Sequence, residues 1–280
     1  MPTRNSLMPK ALLGIGLLLV ATLALAGCDS VTTEETVSQS LEASEAPRIV
    51  VETFNGQIEV SAGADGKVDA VVTKRGSGFS QSEAEADLKN VEVTMTREGD
   101  TVRIIARRTD NRLDAGNSGA SFDLSVPAGA ALELHTSNGE IVVIGVTGVV
   151  AADTSNGRVV VEDGAGRLDL HTSNGEIEID ADSAQVTAET SNGQIRFKGS
   201  LAEGDHSFRT GNGEIVITLP SGARFRIDAT TSNGQVTSDF PVSVTGGGGD
   251  DELRGTAGED PAVSIEARTS NGDIEIRQGE

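Results

Sequence analysis

The side chains that could carry out chemistry in this sequence are few. Residues 246–254 fit the calcium-binding nonapeptide G-G-x-G-x-D-x-U-x at every fixed position. Such sites need at least two consecutive copies to complete the calcium coordination, and residues 255–263 satisfy only part of the pattern. The sequence therefore predicts a flexible glycine loop with solvated carboxylates here rather than a calcium site.

Histidines are the other candidate metal ligands or bases. His135 and His171 occupy the same position of a repeat, and Asp153 occupies it in the copy between them. Two rungs of a sheet would separate the imidazoles by roughly 9–10 Å, whereas a zinc ligand approaches its ion to about 2 Å. We interpret these residues as part of a surface charge ladder, and His206 as a histidine near a widened coil. No catalytic residue, metal site or cofactor is predicted.

Cys28, the only cysteine, has a more specific context. Two basic residues precede an apolar run over residues 11–26, which is typical of a signal peptide. The tetrapeptide Leu25-Ala26-Gly27-Cys28 resembles the lipobox of bacterial lipoproteins, in which the cysteine is acylated and becomes the mature N-terminus. We predict that residues 1–27 are a lipoprotein signal peptide. Lipidated Cys28 would then hold the protein in the cell envelope on the extracytoplasmic side of the inner or the outer membrane.

Charge limits the possible partners. The formal net charge is −21, and it becomes −23 once residues 1–27 with their two basic side chains are removed. A chain this acidic is a poor partner for nucleic acid. Residues 28–47 carry five acidic and no basic side chains with few large apolar groups, which predicts an acidic tether.

A repeated tetrapeptide is the strongest pattern in the sequence. Thr-Ser-Asn-Gly occurs six times and Thr-Gly-Asn-Gly once, and a degenerate copy, Thr53-Phe54-Asn55-Gly56, lies further upstream. A unit of about 18 residues cannot bury its apolar side alone, so the units must stack. The asparagines of the seven copies are predicted to form a structural ladder: Asn138, Asn156, Asn174, Asn192, Asn212, Asn233 and Asn271. Asn174 would have asparagine neighbours on both sides, and Asn271 would end the array.

The positions around each asparagine indicate which side chains face inward. Those four and six residues before Asn and three after it are almost all apolar, whereas those three before and two after are polar. An antiparallel meander with Asn-Gly hairpins would fit this phase, and so would a solenoid with Asn-Gly corners. We favour the solenoid, because only there do identical side chains touch. The predicted fold class is all-β, a single-stranded β-helix-like β-solenoid with coils of about 18–21 residues.

The N-terminal part follows another pattern. Residues 48–126 are predicted to form a small β-rich cap with strands, a hairpin over Val91–Arg107 and one helix over Ser80–Asn90, where Ser80 and Glu83 have the spacing of a capping box. Residues 127–280 are predicted to form the Asn-Gly repeat solenoid, with a glycine-rich and acidic insertion over 245–261.

Several of these motifs resemble those of one bacterial family. They are Ser125–Ala130, the repeated Thr-Ser-Asn-Gly-x-Ile/Val, and Leu253–Gly258 leading into Thr269–Ile274. The family is the putative-adhesin β-strand-repeat domain of unknown function, which is similar to the head GIN domain of auto-transporter adhesin-like proteins. The resemblance covers about residues 48–277 and implies a β-solenoid, an extracytoplasmic location and an adhesive or envelope-stress role. It brings no catalytic residues.

Composition argues against an enzyme. The chain has no Trp, no Tyr and seven Phe, so stacking on sugar rings is nearly absent. It contains no G-x-S-x-G, H-E-x-x-H or P-loop motif. We predict a non-catalytic, lipid-anchored envelope protein with an adhesin-like surface for an unknown protein or surface ligand. A lipoprotein that senses envelope stress or acts as a scaffold is the alternative, and a polysaccharide-active β-helix enzyme is less favoured.

Overall fold

The computed structural model describes residues 25–27, 30–110, 116–246 and 249–279. The N-terminal part contains β1 (Leu25–Gly27), β2 (Ser30–Glu42), β3 (Arg48–Thr53), β4 (Ile58–Gly63), β5 (Lys67–Gly78), α1 (Gln81–Leu88), β6 (Val91–Glu98), β7 (Thr101–Arg108) and β8 (Gly119–Pro127). The middle part contains β9 (Ala131–Asn138), β10 (Ile141–Ile144), β11 (Val150–Asn156), β12 (Val159–Asn174), β13 (Ile177–Asn192), β14 (Ile195–Leu201), β15 (Gly204–Asn212) and β16 (Ile215–Pro220). The C-terminal part contains β17 (Phe225–Asn233), β18 (Val236–Ser238), β19 (Val242–Gly246), β20 (Glu252–Ala257), β21 (Val263–Asn271) and β22 (Ile274–Gly279).

Successive repeats stack as parallel coils. Thr154 of β11 pairs with Thr136 of β9 on one side and with Thr172 of β12 on the other. Asparagines pair in the same register, Asn156 with Asn138 and with Asn174. This parallel register confirms the β-solenoid and excludes the antiparallel meander, in which equivalent residues would lie two strands apart.

Each coil contributes two walls that meet at the Asn-Gly corner. One wall is formed by strands that lead up to Asn and by a hairpin at each end, in the spatial order β6-β7-β3-β9-β11-β12-β13-β15-β21-β17-β20-β19. The other is formed by strands that follow Gly, in the order β2-β5-β8-β4-β10-β12-β13-β14-β16-β22-β18. β12 and β13 appear in both walls, because each continues around the corner opposite Asn-Gly.

The core lies between the two walls. Leu132 and Leu134 of β9 and Ile141 and Val143 of β10 are buried, as the sequence columns predict. Where coils widen, aromatic rings fill the space: Phe197 and Phe208 have centroids 5.8 Å apart. Alternating small and large inward residues thus interlock between coils.

The N-terminal elements occur as predicted but join the same stack. α1 has Ser80 as its N-cap, whose Oγ accepts the Glu83 N–H at 3.3 Å. β6 and β7 form the expected antiparallel hairpin. The degenerate copy at Asn55 belongs to a complete coil, since β3 pairs in parallel with β9, and β4 with β10. The division we placed between residues 126 and 127 therefore does not separate two stacks in space.

Residues that we expected to form an acidic tether are instead largely a strand. β2 pairs antiparallel with β5 over 12 residues, from Val31 opposite Gly78 to Glu42 opposite Lys67. Glu34 forms an ion pair with Arg75 at 3.0 Å, and Glu35 with Lys74 at 2.8 Å. The composition of residues 28–47 suggested disorder because this segment carries carboxylates and no cations. The cations that neutralise two of these carboxylates lie on β5.

The C-terminal end of the stack departs from sequence order. β21 lies between β15 and β17, so the final copy of the repeat inserts between the two copies that precede it. β17 then pairs antiparallel with β20, and β20 with β19. This hairpin covers the last coil, where Phe240 packs edge-on against Phe225 with centroids 5.1 Å apart.

Candidate functional site

The asparagines form a continuous column along the Asn-Gly corner. Each side-chain amide donates to the amide oxygen of the preceding asparagine in the stack: Asn156 to Asn138 at 2.9 Å, Asn174 to Asn156 at 3.1 Å, Asn192 to Asn174 at 3.1 Å, Asn212 to Asn192 at 2.9 Å, Asn271 to Asn212 at 2.8 Å and Asn233 to Asn271 at 3.0 Å. These side chains are exposed to solvent. The terminal member is Asn233, and not Asn271 as we expected, because β21 inserts before β17.

Threonine is the buried polar residue of the repeat, as the inward phase of the position two residues before Asn predicts. Thr172 is 5% exposed, and its Oγ1 donates to the carbonyl oxygen of Gly157 on the neighbouring coil at 2.9 Å. Thr154 and Thr190 make the same bond to Gly139 and Gly175, each at 3.0 Å. The hydroxyl satisfies a corner carbonyl that the strand ladder leaves without a partner.

Glycine at the corner is required mainly by close approach. A Cβ on Gly175 would lie 1.9 Å from the carbonyl oxygen of Gly157, and one on Gly157 would lie 1.9 Å from that of Gly139. Only some of these glycines have positive φ, among them Gly193 at 159°. The tetrapeptide therefore repeats because every member has a contact with the coil beside it, Ser through its carbonyl oxygen, which accepts from the Asn amide of the adjacent coil.

One outward surface, which we call the histidine face, is the solvent side of the wall that contains β9, β11 and β15. His135 Nδ1 lies 3.3 Å from Asp153 Oδ1. His171 Nε2 lies 2.9 Å from Asp169 Oδ1, and its Nδ1 lies 3.8 Å from Glu189 Oε2. Each imidazole thus pairs with carboxylates on its own or an adjacent strand. Among the residues that the structure describes, no three His, Cys, Asp or Glu side chains are placed to hold a metal ion.

The second outward surface, the valine face, is the solvent side of the wall that contains β10, β14 and β16. It holds a depression of about 410 Å³. Val160 and Val216 form its floor and are only 4% and 6% exposed although they point outward. Its walls are charged: Glu162, Asp163, Glu178 and Asp180 lie toward β12 and β13, and Arg196, Lys198 and Arg277 toward β14, β16 and β22. We call this depression the valine groove.

Ion pairs cross from coil to coil beside the valine groove. Arg158 Nε lies 2.8 Å from Glu140 Oε1, and Lys198 Nζ lies 3.2 Å from Asp180 Oδ2. Arg196 pairs with Glu176 in the same way. The expectation that unlike charges would occupy adjacent rungs is confirmed here. Further along, burial and the neighbouring Glu275 raise the pKa of the Glu214 carboxyl.

His206 is a structural bridge. It is 2% exposed, its Nδ1 accepts the Val186 N–H at 3.2 Å, and its Nε2 lies 2.9 Å from the Ala202 carbonyl oxygen. Nε2 must carry the proton, since both a donor and an acceptor are needed. Burial lowers the pKa of His206 below its ordinary value. The neutral ring joins two coils where the repeat lengthens from 18 to 20 residues.

A buried ion pair fixes helix α1. Asp87, 4% exposed, accepts from Arg108 Nη2 at 2.7 Å, from the Ser77 N–H at 3.0 Å and from the Ser118 hydroxyl. Burial alone would raise the pKa of Asp87, but the hydrogen bonds from Arg108, Ser118 and Ser77 lower it overall. Sequence reasoning missed this cluster, because its members come from three separate elements and from the loop before β8.

The nonapeptide region has the geometry of a hairpin. β19 and β20 on either side of it pair antiparallel, whereas the calcium nonapeptide builds parallel coils. The carbonyl oxygens of Asp250 and Asp251 accept the N–H groups of Val236 at 2.7 Å and Thr231 at 2.9 Å. These backbone bonds hold the segment against the last coil. The absence of a calcium site stays a prediction.

Cys28 lies outside the described residues, as does most of the predicted signal peptide. β1, the described part of that peptide, pairs antiparallel with the start of β2. In the described part of the chain, no helix has the length and apolar character needed to cross a membrane.

The stacked coils and their two flat outward walls define the class of protein as a two-walled β-solenoid. Residues 46–277 match the Toastrack DUF4097 family, and the chain belongs to that family. This span includes both the N-terminal elements and the regular coils.

Three solved structures are similar to the chain over most of its length. A "putative cell adhesion protein" from Clostridium sporogenes is 13% identical, with 88% of this chain and 100% of that chain covered and a TM-score of 0.39. A "putative adhesin" from Bacteroides fragilis is 13% identical, with coverages of 86% and 97% and a TM-score of 0.40. A "putative lipid binding protein" from Parabacteroides distasonis is 12% identical, with coverages of 86% and 96% and a TM-score of 0.39. No curated protein matches the chain.

Proposed function

We propose that this protein is a non-catalytic, lipid-anchored protein of the bacterial cell envelope, and that its solenoid presents an outward wall to a protein or surface ligand in the manner of an adhesin. The valine groove is the observation that carries this proposal. It crosses β12, β13, β14, β16 and β22, which at sheet spacing is about 19 Å. A depression of this length and shallowness suits an extended segment better than a compact substrate.

Charge in the valine groove is separated along the stack. Four carboxylates lie on the strands nearer the N-terminal end, and three cations lie on those nearer the C-terminal end. The buried side chains of Val160 and Val216 supply an apolar floor between them. A ligand with basic groups toward one end and acidic groups toward the other would complement this arrangement.

The non-catalytic part of the proposal is supported by the pairing of charges on this face. Arg196, Lys198 and Arg158 each pair with a carboxylate of an adjacent coil, and all three cations are exposed to water. A catalytic acid or base is usually set apart by burial and a strongly shifted pKa. The charges of the groove are arranged for recognition of a surface.

Envelope anchoring is supported by the lipobox-like sequence at Cys28. Metabolic labelling with a fatty acid, followed by membrane fractionation, tests it directly. We expect label on the wild-type protein and a membrane location, and neither in the Cys28→Ala variant. An unlabelled wild-type protein would refute the anchor.

Ligand binding by the valine groove can be tested with the chain labelled by a fluorescent maleimide at Cys28, its only cysteine. We expect it to bind envelope fragments of the same bacterium, less at high salt, and the Arg196→Glu/Lys198→Glu variant to lose most of this binding. Arg167→Glu/Arg226→Glu is the control, because it changes the net charge equally at exposed positions outside the groove. Equal losses in the two variants, or none in either, would exclude the groove as the binding surface.

A further inference from the structure

We propose that the N-terminal end of the solenoid lies against the lipid bilayer and that Phe79 inserts among its headgroups. The surface concerned is formed by Phe79, the first turn of α1 and Ser30 at the start of β2, and we call it the membrane end. This inference deepens the proposed function, since it depends on acylation of Cys28.

The pairing of β2 determines how far the membrane can be from the fold. β2 is held to β5 over 12 residue pairs and by the ion pairs of Glu34 and Glu35 with Arg75 and Lys74. Val31, the first residue of β2 that pairs with β5, is therefore a fixed point, and Cys28 precedes it by three residues. Three residues span at most about 11 Å. A lipid on Cys28 would hold the membrane end close to the headgroups, which a free tether of 20 residues would not do.

Phe79 is the most exposed large apolar side chain of the described residues, at 88%. It follows Gly78, which pairs with Val31, and it lines the same depression as Ser30. The exposed aromatic ring and the point where the chain leaves the fold are therefore neighbours. Val244, the next most exposed at 61%, lies at the opposite end of the stack on β19.

The position of Phe79 is fixed by the backbone. Its N–H donates to Glu83 Oε2 at 2.8 Å, and Ser80 caps the helix that follows. An apolar residue just before an N-cap usually packs on the fourth residue of its helix. That residue is Ala84, which is fully buried, yet Phe79 turns away from it. The ring is thus held in water, where it gains nothing from folding, and the boundary between headgroups and acyl chains is the apolar environment within reach.

Charge near Phe79 indicates the kind of bilayer. Glu83 of α1 lies beside it and would be repelled by anionic lipids. We therefore expect contact with zwitterionic headgroups.

Tryptophan fluorescence tests the contact, because the chain has no Trp and no Tyr. The chain from Cys28 onward would be coupled through that cysteine to a maleimide lipid in phosphatidylcholine vesicles, as Phe79→Trp and, for control, as Val244→Trp. We expect Phe79→Trp emission to move to shorter wavelength and to be quenched by brominated acyl chains, and Val244→Trp emission to do neither. Unchanged Phe79→Trp emission, or equal quenching of both variants, would overturn the proposal.

Two further measurements separate the possible failures. Urea midpoints equal to that of the unsubstituted chain would show that both variants fold, as the exposure of both positions predicts. Coupling through the maleimide supplies an anchor whether or not cells acylate Cys28. Failure of fatty-acid labelling in cells would thus refute the anchor, whereas failure of the fluorescence result would refute the orientation.

Discussion

Replacement of Thr172 by Val tests whether threonine hydroxyls join the coils. Thr172 is 5% exposed, and its bond to the Gly157 carbonyl oxygen is 2.9 Å long. No other described group donates a hydrogen bond to that oxygen. Valine keeps the shape of the side chain and leaves the part-buried carbonyl unpaired, which costs about 1–3 kcal/mol. The added methyl group recovers up to about 0.8 kcal/mol, so the net loss of unfolding free energy should be about 0.2–2.2 kcal/mol.

Urea unfolding followed by circular dichroism measures this loss, with the slope of the free energy against urea checked for constancy. Thr187→Val is the matched control: Thr187 lies on β13, points outward, is half-buried, and makes no side-chain hydrogen bond to the described residues. It should change stability by less than about 0.5 kcal/mol. If Thr172→Val were as stable as Thr187→Val, the hydroxyl bond would not hold the coils together.

Three more predictions follow from the same contacts. Gly175→Ala should lower the unfolding free energy by about 3 kcal/mol or more, because the added Cβ would lie 1.9 Å from the carbonyl oxygen of Gly157. Gly222→Ala is the control: a Cβ there would have no heavy atom within 4 Å, so this variant should be neutral or slightly stabilising in the same urea assay. Asn174→Ala should lower the unfolding free energy by about 1 kcal/mol, since the exposed amide of Asn174 makes three hydrogen bonds to neighbouring coils. Asn233→Ala should lower it less, because the amide of Asn233 makes two such bonds. A larger loss of stability in Asn233→Ala than in Asn174→Ala would contradict the stacking order. Stability should also depend on His206 in acid: its pKa is lowered in the folded state, so the unfolded chain binds a proton below about pH 6.5 that the folded chain excludes. Urea midpoints should therefore fall as the pH drops from 7.5 toward 5 and fall less in His206→Gln; parallel pH profiles would show that the ring is not kept neutral.

Elements that depend on contacts between residues close together in the sequence could be predicted from the sequence. The helix after Ser80 and the hairpin of β6 and β7 follow from capping and turn residues within a few positions. The inward columns follow from the two-residue alternation of strands. β2 was missed because its stability depends on Arg75 and Lys74, about 40 residues away. The cluster around Asp87 was missed for the same reason.

The sequence by itself determined the coil of this protein: its period, its Asn-Gly corner, its inward apolar columns and the parallel stacking that brings identical side chains together. These properties repeat in every copy, so one unit contains the information for all. Only the tertiary structure decided the order of the coils, which places Asn271 between Asn212 and Asn233. Copies with the same inward columns can pair equally well with several neighbours, so the repeat itself does not fix the order of the coils. The hairpin of β19 and β20 fixes it, because this hairpin covers one edge of β17 and β21 then pairs with β15 and with the other edge of β17. The structure also decided that Asn is exposed at the corner, because that depends on which side of the turn the next coil lies.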